Sequence, residues 1–292
     1  MTETAPIDRP LHYLERGSGS PLLLIHGLGS SGADWAFQVR AFEARFRVIV
    51  PDLPGCGHSS ALPDGFTIAQ LAAALWALLD RLEIATPNIV GFSLGGAVAL
   101  EMALQRPDCV PRLGLVNSLP SYQLDTLNKW LEARISLLLI HLFGMGPLSR
   151  LCAARMFPQP WQRSLRTRAA AVVGAVPAAS YLGMGAALVR WSATARLEAL
   201  RSRILIIAAE HDLTPLAQKS ALALQLGAGF AVVRGSRHGT PFDAVEATNA
   251  CIAALLYDQP PPSAELLTCD EPQPAHALCF AGSLAEEHAL GP

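Results

Sequence analysis

Six short apolar runs, at residues 22–25, 47–50, 88–90, 113–116, 204–208 and 230–233, punctuate the chain without alternating apolar and polar positions. A strand with one wet face alternates. One that does not is buried on both faces, as in a parallel sheet covered by helices on each side. Helix-like stretches at 66–82, 97–105 and 217–226 lie between the runs. Strand followed by helix, repeated, specifies a doubly wound α/β sheet. Segment 11–16, closed by Gly17-Ser-Gly-Ser-Pro21, reads as one arm of a hairpin leading into the first parallel strand.

The alternation breaks once. Between residues 117 and 203 there is no strand pattern, only helix-like pieces at 124–143, 148–156, 161–173 and 180–193. So long a helical stretch exceeds a simple crossover between neighbouring strands. The expected organisation is a core of residues 1–117 and 196–258, with 118–195 inserted as a helical lid. From residue 259 to 292 the chain turns rich in Pro, Glu and Ala, the composition of a disordered tail.

Composition narrows the class. Hydrophobic residues make up 51% and charged ones 16% of 292 residues, so a large core is expected. The net charge of −2 carries no electrostatic footprint for nucleic acid. Nearly all the basic residues are Arg; Lys129 and Lys219 are the only lysines. The six cysteines show no C-x-x-C or paired Cys/His spacing, which argues against a metal site or redox dithiol. The N-terminus has no apolar run of signal type, and the longest apolar stretch, 135–145, is about half a bilayer span. The expectation is a cytoplasmic protein without stable membrane insertion, needing no cofactor and no metal.

Chemistry concentrates in Asn88-Ile-Val-Gly-Phe-Ser-Leu-Gly-Gly-Ala97, a strand, then G-x-S-x-G, then a helix. Such a turn forces Ser93 into a strained backbone, and the glycines at 91 and 95 remove side chains that would clash. A serine hydroxyl needs a general base at neutral pH. His238, in Gly235-Ser-Arg-His-Gly-Thr-Pro241, directly follows the last apolar run. The base in turn needs a carboxylate to fix its tautomer. Asp212 follows the run at 204–208, with Glu210 as a competitor and His211 as a neighbour that points elsewhere. Separately, each has a plain reading: a turn serine, a helix cap, a surface histidine. Together they give Ser93, Asp212 and His238 in order, each just past a strand's carboxyl end, where open α/β sheets place their sites. Backbone N–H groups of Leu94 and of Leu28, in His26-Gly-Leu-Gly29, are the candidates for an oxyanion hole, with His26 itself structural.

These motifs, with Pro51-Asp-Leu-Pro-Gly-Cys-Gly-His-Ser59, resemble the α/β-hydrolase superfamily over residues 11–256. Within it the chain is similar to small carboxylesterases, enol-lactonases and cofactor-free haloperoxidase-like proteins. The resemblance implies ester cleavage through an acyl-enzyme, acting on a small-molecule ester with an apolar acyl or aromatic group. Carbon–carbon hydrolases of ring-cleavage pathways share the layout but carry an aromatic residue after the late histidine, where Gly239 stands; Arg190-Trp191 keeps that alternative open. A lyase or perhydrolase on the same triad, and a non-catalytic binding protein, are the other rivals. Leu137–Ile140, Leu142, Phe143, Met145, Met156, Phe157, Tyr181 and Met184 could line a cleft over Ser93 or simply pack the insertion. Arg150, Arg155, Arg163, Arg166 and Arg168 could meet a substrate carboxylate or form a solvated face.

Overall fold

The computed structural model describes residues 10–60, 65–263 and 267–269. Seven strands form one sheet: β1 (Tyr13–Arg16), β2 (Ser20–Ile25), β3 (Phe46–Pro51), β4 (Asn88–Phe92), β5 (Arg112–Val116), β6 (Arg203–Ala209) and β7 (Gly229–Val233). Their spatial order is β1-β3-β2-β4-β5-β6-β7, and every pairing but β1–β3 is parallel. The helices between them are α1 (Ala36–Phe42), α2 (Ile68–Arg81) and α3 (Leu94–Gln105). Four more, α4 (Leu127–Phe143), α5 (Met145–Met156), α6 (Arg163–Ala175) and α7 (Ala178–Arg190), stand between β5 and β6. After β6 come α8 (Leu216–Leu226), α9 (Thr240–Asp243) and α10 (Val245–Leu256).

Successive strand residues face opposite sides of the sheet, and here both sides are apolar and buried. Leu23, Ile25, Ile89, Leu113 and Ile206 join α2, α3 and α8 in one core. Leu22, Leu24, Val90, Leu205 and Ile207 join α1 and α10 in the other. Continuous apolar runs therefore mark strands wet on neither face. Helix α2 starts at a capping box, in which Thr67 and Gln70 each satisfy the other's backbone N–H.

Two expectations need correction. Segment 13–16 does not form a hairpin with its neighbour β2; it pairs antiparallel with β3, so Tyr13 lies opposite Pro51 and Arg16 opposite Val48. Gly17 and Gly19, both with positive φ, swing the chain across the end of β3, where a Cβ on Gly17 would lie 2.0 Å from the Glu43 carbonyl oxygen. The tail expected to be disordered from residue 259 has a docked piece. Thr268 bridges Arg234 beside β7, with hydrogen bonds of 2.9 and 2.8 Å on either side, and Leu267 enters the second core. An edge strand offers unpaired backbone groups, and the tail takes some of them. The rest of that expectation falls on residues 264–266 and 270–292, outside the described residues.

The inserted helices have a small core of their own, in which Ile140, Met145 and Leu148 pack with Val173, Tyr181 and Leu182. An antiparallel bridge between Ser121 and Ser192 draws the ends of the insertion together. Among the described residues no single helix is long and apolar enough to cross a membrane.

Candidate active site

Ser93 sits between β4 and α3 at φ +54°, ψ −117°, a conformation costing a non-glycine residue about 1–3 kcal/mol. The local sequence forces it. A Cβ on Gly91 would lie 2.2 Å from the Gly95 carbonyl oxygen, and one on Gly95 2.2 Å from that of Ile25. Only glycine lets strand, turn and helix approach this closely. The strained turn is held by the Ser93 N–H donating to the Val116 carbonyl (2.8 Å) and by the Ser118 hydroxyl donating to the Ser93 carbonyl (2.9 Å).

His238 lies in the loop after β7 and Asp212 in the loop after β6. The His238 Nε2 atom is 3.0 Å from Ser93 Oγ, and its Nδ1 is 2.6 Å from Asp212 Oδ1. Three groups far apart in the chain thus form one hydrogen-bonded line. The Asp212 side chain is fully buried, and that of His238 is 14% exposed. Every lone-pair direction of the carboxylate is used: Oδ1 also accepts from the Leu213 N–H (2.7 Å), and Oδ2 from the Thr214 hydroxyl (2.5 Å) and from Lys219. Burial pushes the carboxyl upward, but the hydrogen bond and charge of His238 and the charge of Lys219 outweigh it. Asp212 is held well below the usual carboxylate range.

Asn117 ties the loops together. Its side-chain N–H₂ donates to the His238 carbonyl (2.9 Å) and the Thr240 hydroxyl (2.7 Å), while its oxygen accepts from the Ala209 N–H (2.7 Å). One buried amide at the end of β5 so fixes the strand before Asp212 and the loop bearing His238. Glu210 and His211 are excluded from this line: Glu210 accepts from the Gly235 N–H (2.8 Å), and His211 is half-exposed. His26 is buried and held neutral by desolvation. Its Nε2 accepts from the Leu53 N–H (2.9 Å), and its Nδ1 lies 2.9 Å from the Gly27 carbonyl, which makes Nδ1 the protonated nitrogen. Its role is to brace the loop carrying Leu28. Leu94 opens α3, where the first N–H groups lack helical partners, and Leu28 lines the pocket above Ser93.

That pocket encloses about 230 Å³ and is walled mainly by apolar side chains from α5, α6 and α7. Met156, Phe157 and Tyr181 line it; Met184 is buried against Cys56, while Leu137, Leu138, Leu142 and Phe143 are exposed. Of the candidate arginines, Arg155 and Arg168 reach the pocket, whereas Arg166 donates to the Phe157 carbonyl (3.2 Å). Arg168 lies 3.7 Å from Asp34, which accepts a short hydrogen bond from Ser30. A Cβ on Gly239 would meet the Phe157 ring at 2.5 Å, so an aromatic ring fills that place from the insertion. Trp191 is buried with its indole N–H on Glu101 (2.8 Å), away from the pocket lining. Among the described residues no group of three or more His, Cys, Asp or Glu is placed to hold a metal ion.

Residues 20–218 match the family described as alpha/beta hydrolase fold. The chain belongs to the α/β-hydrolase family. A protein of Caulobacter vibrioides that carries the name carbamate hydrolase RutD is 32% identical over 262 residues, covering 84% of this chain and 95% of that protein. An enol-lactonase structure from Burkholderia xenovorans LB400 superposes with TM-score 0.78 at 25% identity, covering 87% of this α/β-hydrolase and 99% of that one. An esterase from Thermogutta terrifontis, solved with malate bound, gives TM-score 0.75 at 26% identity over 85% and 93%. Hydrolysis is the class of activity these relatives share with the family.

Proposed function

We propose that this α/β-hydrolase is a serine hydrolase that cleaves carboxylic esters with a small to medium apolar acyl or aromatic group. The observation that carries the reading is the line Ser93 Oγ–His238 Nε2–Asp212, with contacts of 3.0 and 2.6 Å. His238 takes the Ser93 proton as Oγ attacks the ester carbonyl. The N–H groups of Leu28 and Leu94 receive the oxyanion, a contribution of about 3–4 kcal/mol for one such donor. The imidazolium then protonates the departing alkoxide, and the alcohol leaves an acyl group on Ser93. Water, losing its proton to His238, attacks the acyl carbon, and Ser93 recovers its proton as the acid departs. Residues 118–195 act as the cap whose apolar wall selects the acyl group.

The carbon–carbon alternative loses its sequence support, because Trp191 is engaged with Glu101 and residue 190 is absent from the pocket lining. The carbamate named for the Caulobacter relative calls for the same acyl chemistry and belongs in the same assay. A fluorophosphonate probe should label Ser93 and not the Ser93→Ala protein. A panel of p-nitrophenyl esters of graded chain length, run beside carbamates, lactones and carbon–carbon substrates, should show fastest turnover on the esters. A protein that neither labels nor turns over any of them overturns the reading.

A further inference from the structure

Helix α4 presents its apolar side the wrong way round. At 100° per residue, Leu127, Leu131, Ile135, Leu138 and Leu142 fall within an arc of about 80° and run about 22 Å along the axis. All five are exposed, from 43% for Leu131 to 71% for Leu127. The helix docks through the other side, where Ile140 is buried with Met145 and Leu148. Its most apolar stripe is therefore turned away from the protein. Trp130 borders the stripe, with the Arg134 guanidinium 5.0 Å from its ring centre.

The charge around this helix is equally lopsided. Eight of the 22 basic residues, but only two of the 24 acidic ones, fall in 118–195, an excess of six positive charges in a chain whose net charge is −2. Arg134 on α4 and Arg150 on α5 are exposed; Arg155 on α5 is exposed as well and lies 3.6 Å from Glu132, and Lys129 pairs with Asp125 at 2.7 Å.

We propose that the outward face of α4, with the basic residues around it, docks in the plane of an anionic lipid bilayer. The stripe consists of Leu and Ile side chains alone, which offer a partner no hydrogen bond and favour a hydrocarbon boundary. A helix with an apolar stripe, a bordering Trp and surrounding Arg is the kind that lies in a membrane interface. Anionic headgroups complement the positive excess. A second copy of the chain seated stripe to stripe would instead press two positive insertions together. The helix lies on the surface rather than crossing it, since its 17 residues fall short of a span. Docking there sets the pocket, walled by the adjoining helices, beside a reservoir of apolar molecules.

The test is co-sedimentation of the full chain, carrying Ser93→Ala, with vesicles of phosphatidylcholine alone or mixed with phosphatidylglycerol. Removing the nucleophile separates binding from the proposed hydrolysis, so either reading can fail without the other. Sedimentation with the anionic vesicles is expected, weakening as salt is raised. The exposed pair Leu131→Glu and Leu138→Glu should lower partitioning about tenfold or more while leaving the circular dichroism unchanged. Three results overturn the proposal: no sedimentation with anionic vesicles, equal partitioning of the double variant, or a stripe-dependent dimer by light scattering that anionic vesicles do not dissociate. The last would assign the face to a second copy.

Discussion

Lys219 donates its ammonium to Oδ2 of Asp212, with both side chains wholly removed from solvent. The same carboxylate receives His238 on Oδ1, so a buried cation sits directly behind the proposed triad. The ammonium helps hold that carboxylate ionised and in place behind His238. Replacing it by methionine should lower kcat/KM on p-nitrophenyl esters, because Asp212 loses a partner that fixes it in line with His238. Lys219→Arg should restore part of the loss. The Met variant should also lose about 3–5 kcal/mol of stability, because Asp212 keeps a buried charge without its counter-ion. Wild-type kcat/KM in a folded Lys219→Met protein would show that the lysine is not needed to position Asp212.

Asp212 fixes which imidazole nitrogen carries the proton, because its Oδ1 sits 2.6 Å from His238 Nδ1. An amide there permits the opposite tautomer, which leaves Nε2 protonated and unable to accept from Ser93. Asp212→Asn should lower kcat on p-nitrophenyl esters by about 10³–10⁴-fold, as should His238→Ala. Steady-state kinetics on either variant checks this. Near-normal turnover would remove that residue from the proposed mechanism.

Parts of the site are legible in the sequence for a physical reason: the demand is local. Ser93 stands out because its backbone conformation requires glycine on both sides, and Asp212 and His238 because each follows an apolar strand run. Asn117 is hidden, since its partners lie 92 to 123 residues away and its own surroundings look like a turn. Lys219 reads as an ordinary polar helix residue, and only folding reveals that its face of α8 turns inward toward Asp212. The apolar insertion misleads most. Composition puts leucines over Ser93, but the buried anchor Ile140 rotates Leu138 and Leu142 outward. The β1 pairing is likewise invisible locally, because chain proximity favours β2 while the open sheet edge belongs to β3.

Gly95 and Gly185 give a matched contrast. A methyl at Gly95 would meet the carbonyl oxygens of Ile25 and His26 at 2.2 and 2.5 Å, both rigid backbone. Gly95→Ala should push α3 from β2, lower the melting temperature and abolish fluorophosphonate labelling of Ser93. A methyl at Gly185, within α7, would find nothing within 4 Å. Gly185→Ala should leave labelling intact and stabilise by about 0.5–1 kcal/mol, the conformational cost of glycine in a helix. Thermal melts with probe labelling test both. A well-labelled Gly95→Ala protein would contradict the close approach inferred here.

Asp34 lines the pocket, and burial raises its carboxyl above the ordinary value, with the Ser30 hydrogen bond and the Arg168 charge opposing. A carboxylate whose folded value exceeds its unfolded value of 3.8 subtracts stability at every pH above the unfolded value. That deficit shrinks as the pH falls from the raised folded value toward the unfolded one, and is gone below it. Asp34→Asn keeps an acceptor for Ser30 and removes the need to bury a charge. Urea unfolding should therefore find Asp34→Asn more stable than the wild type at pH 7, with the gap closing as the pH approaches 3.8. A gap that stays constant across the series would trace the difference to packing instead of ionisation. The stability given up at neutral pH is the cost of placing a carboxyl in the pocket wall, next to Ser30 and Arg168.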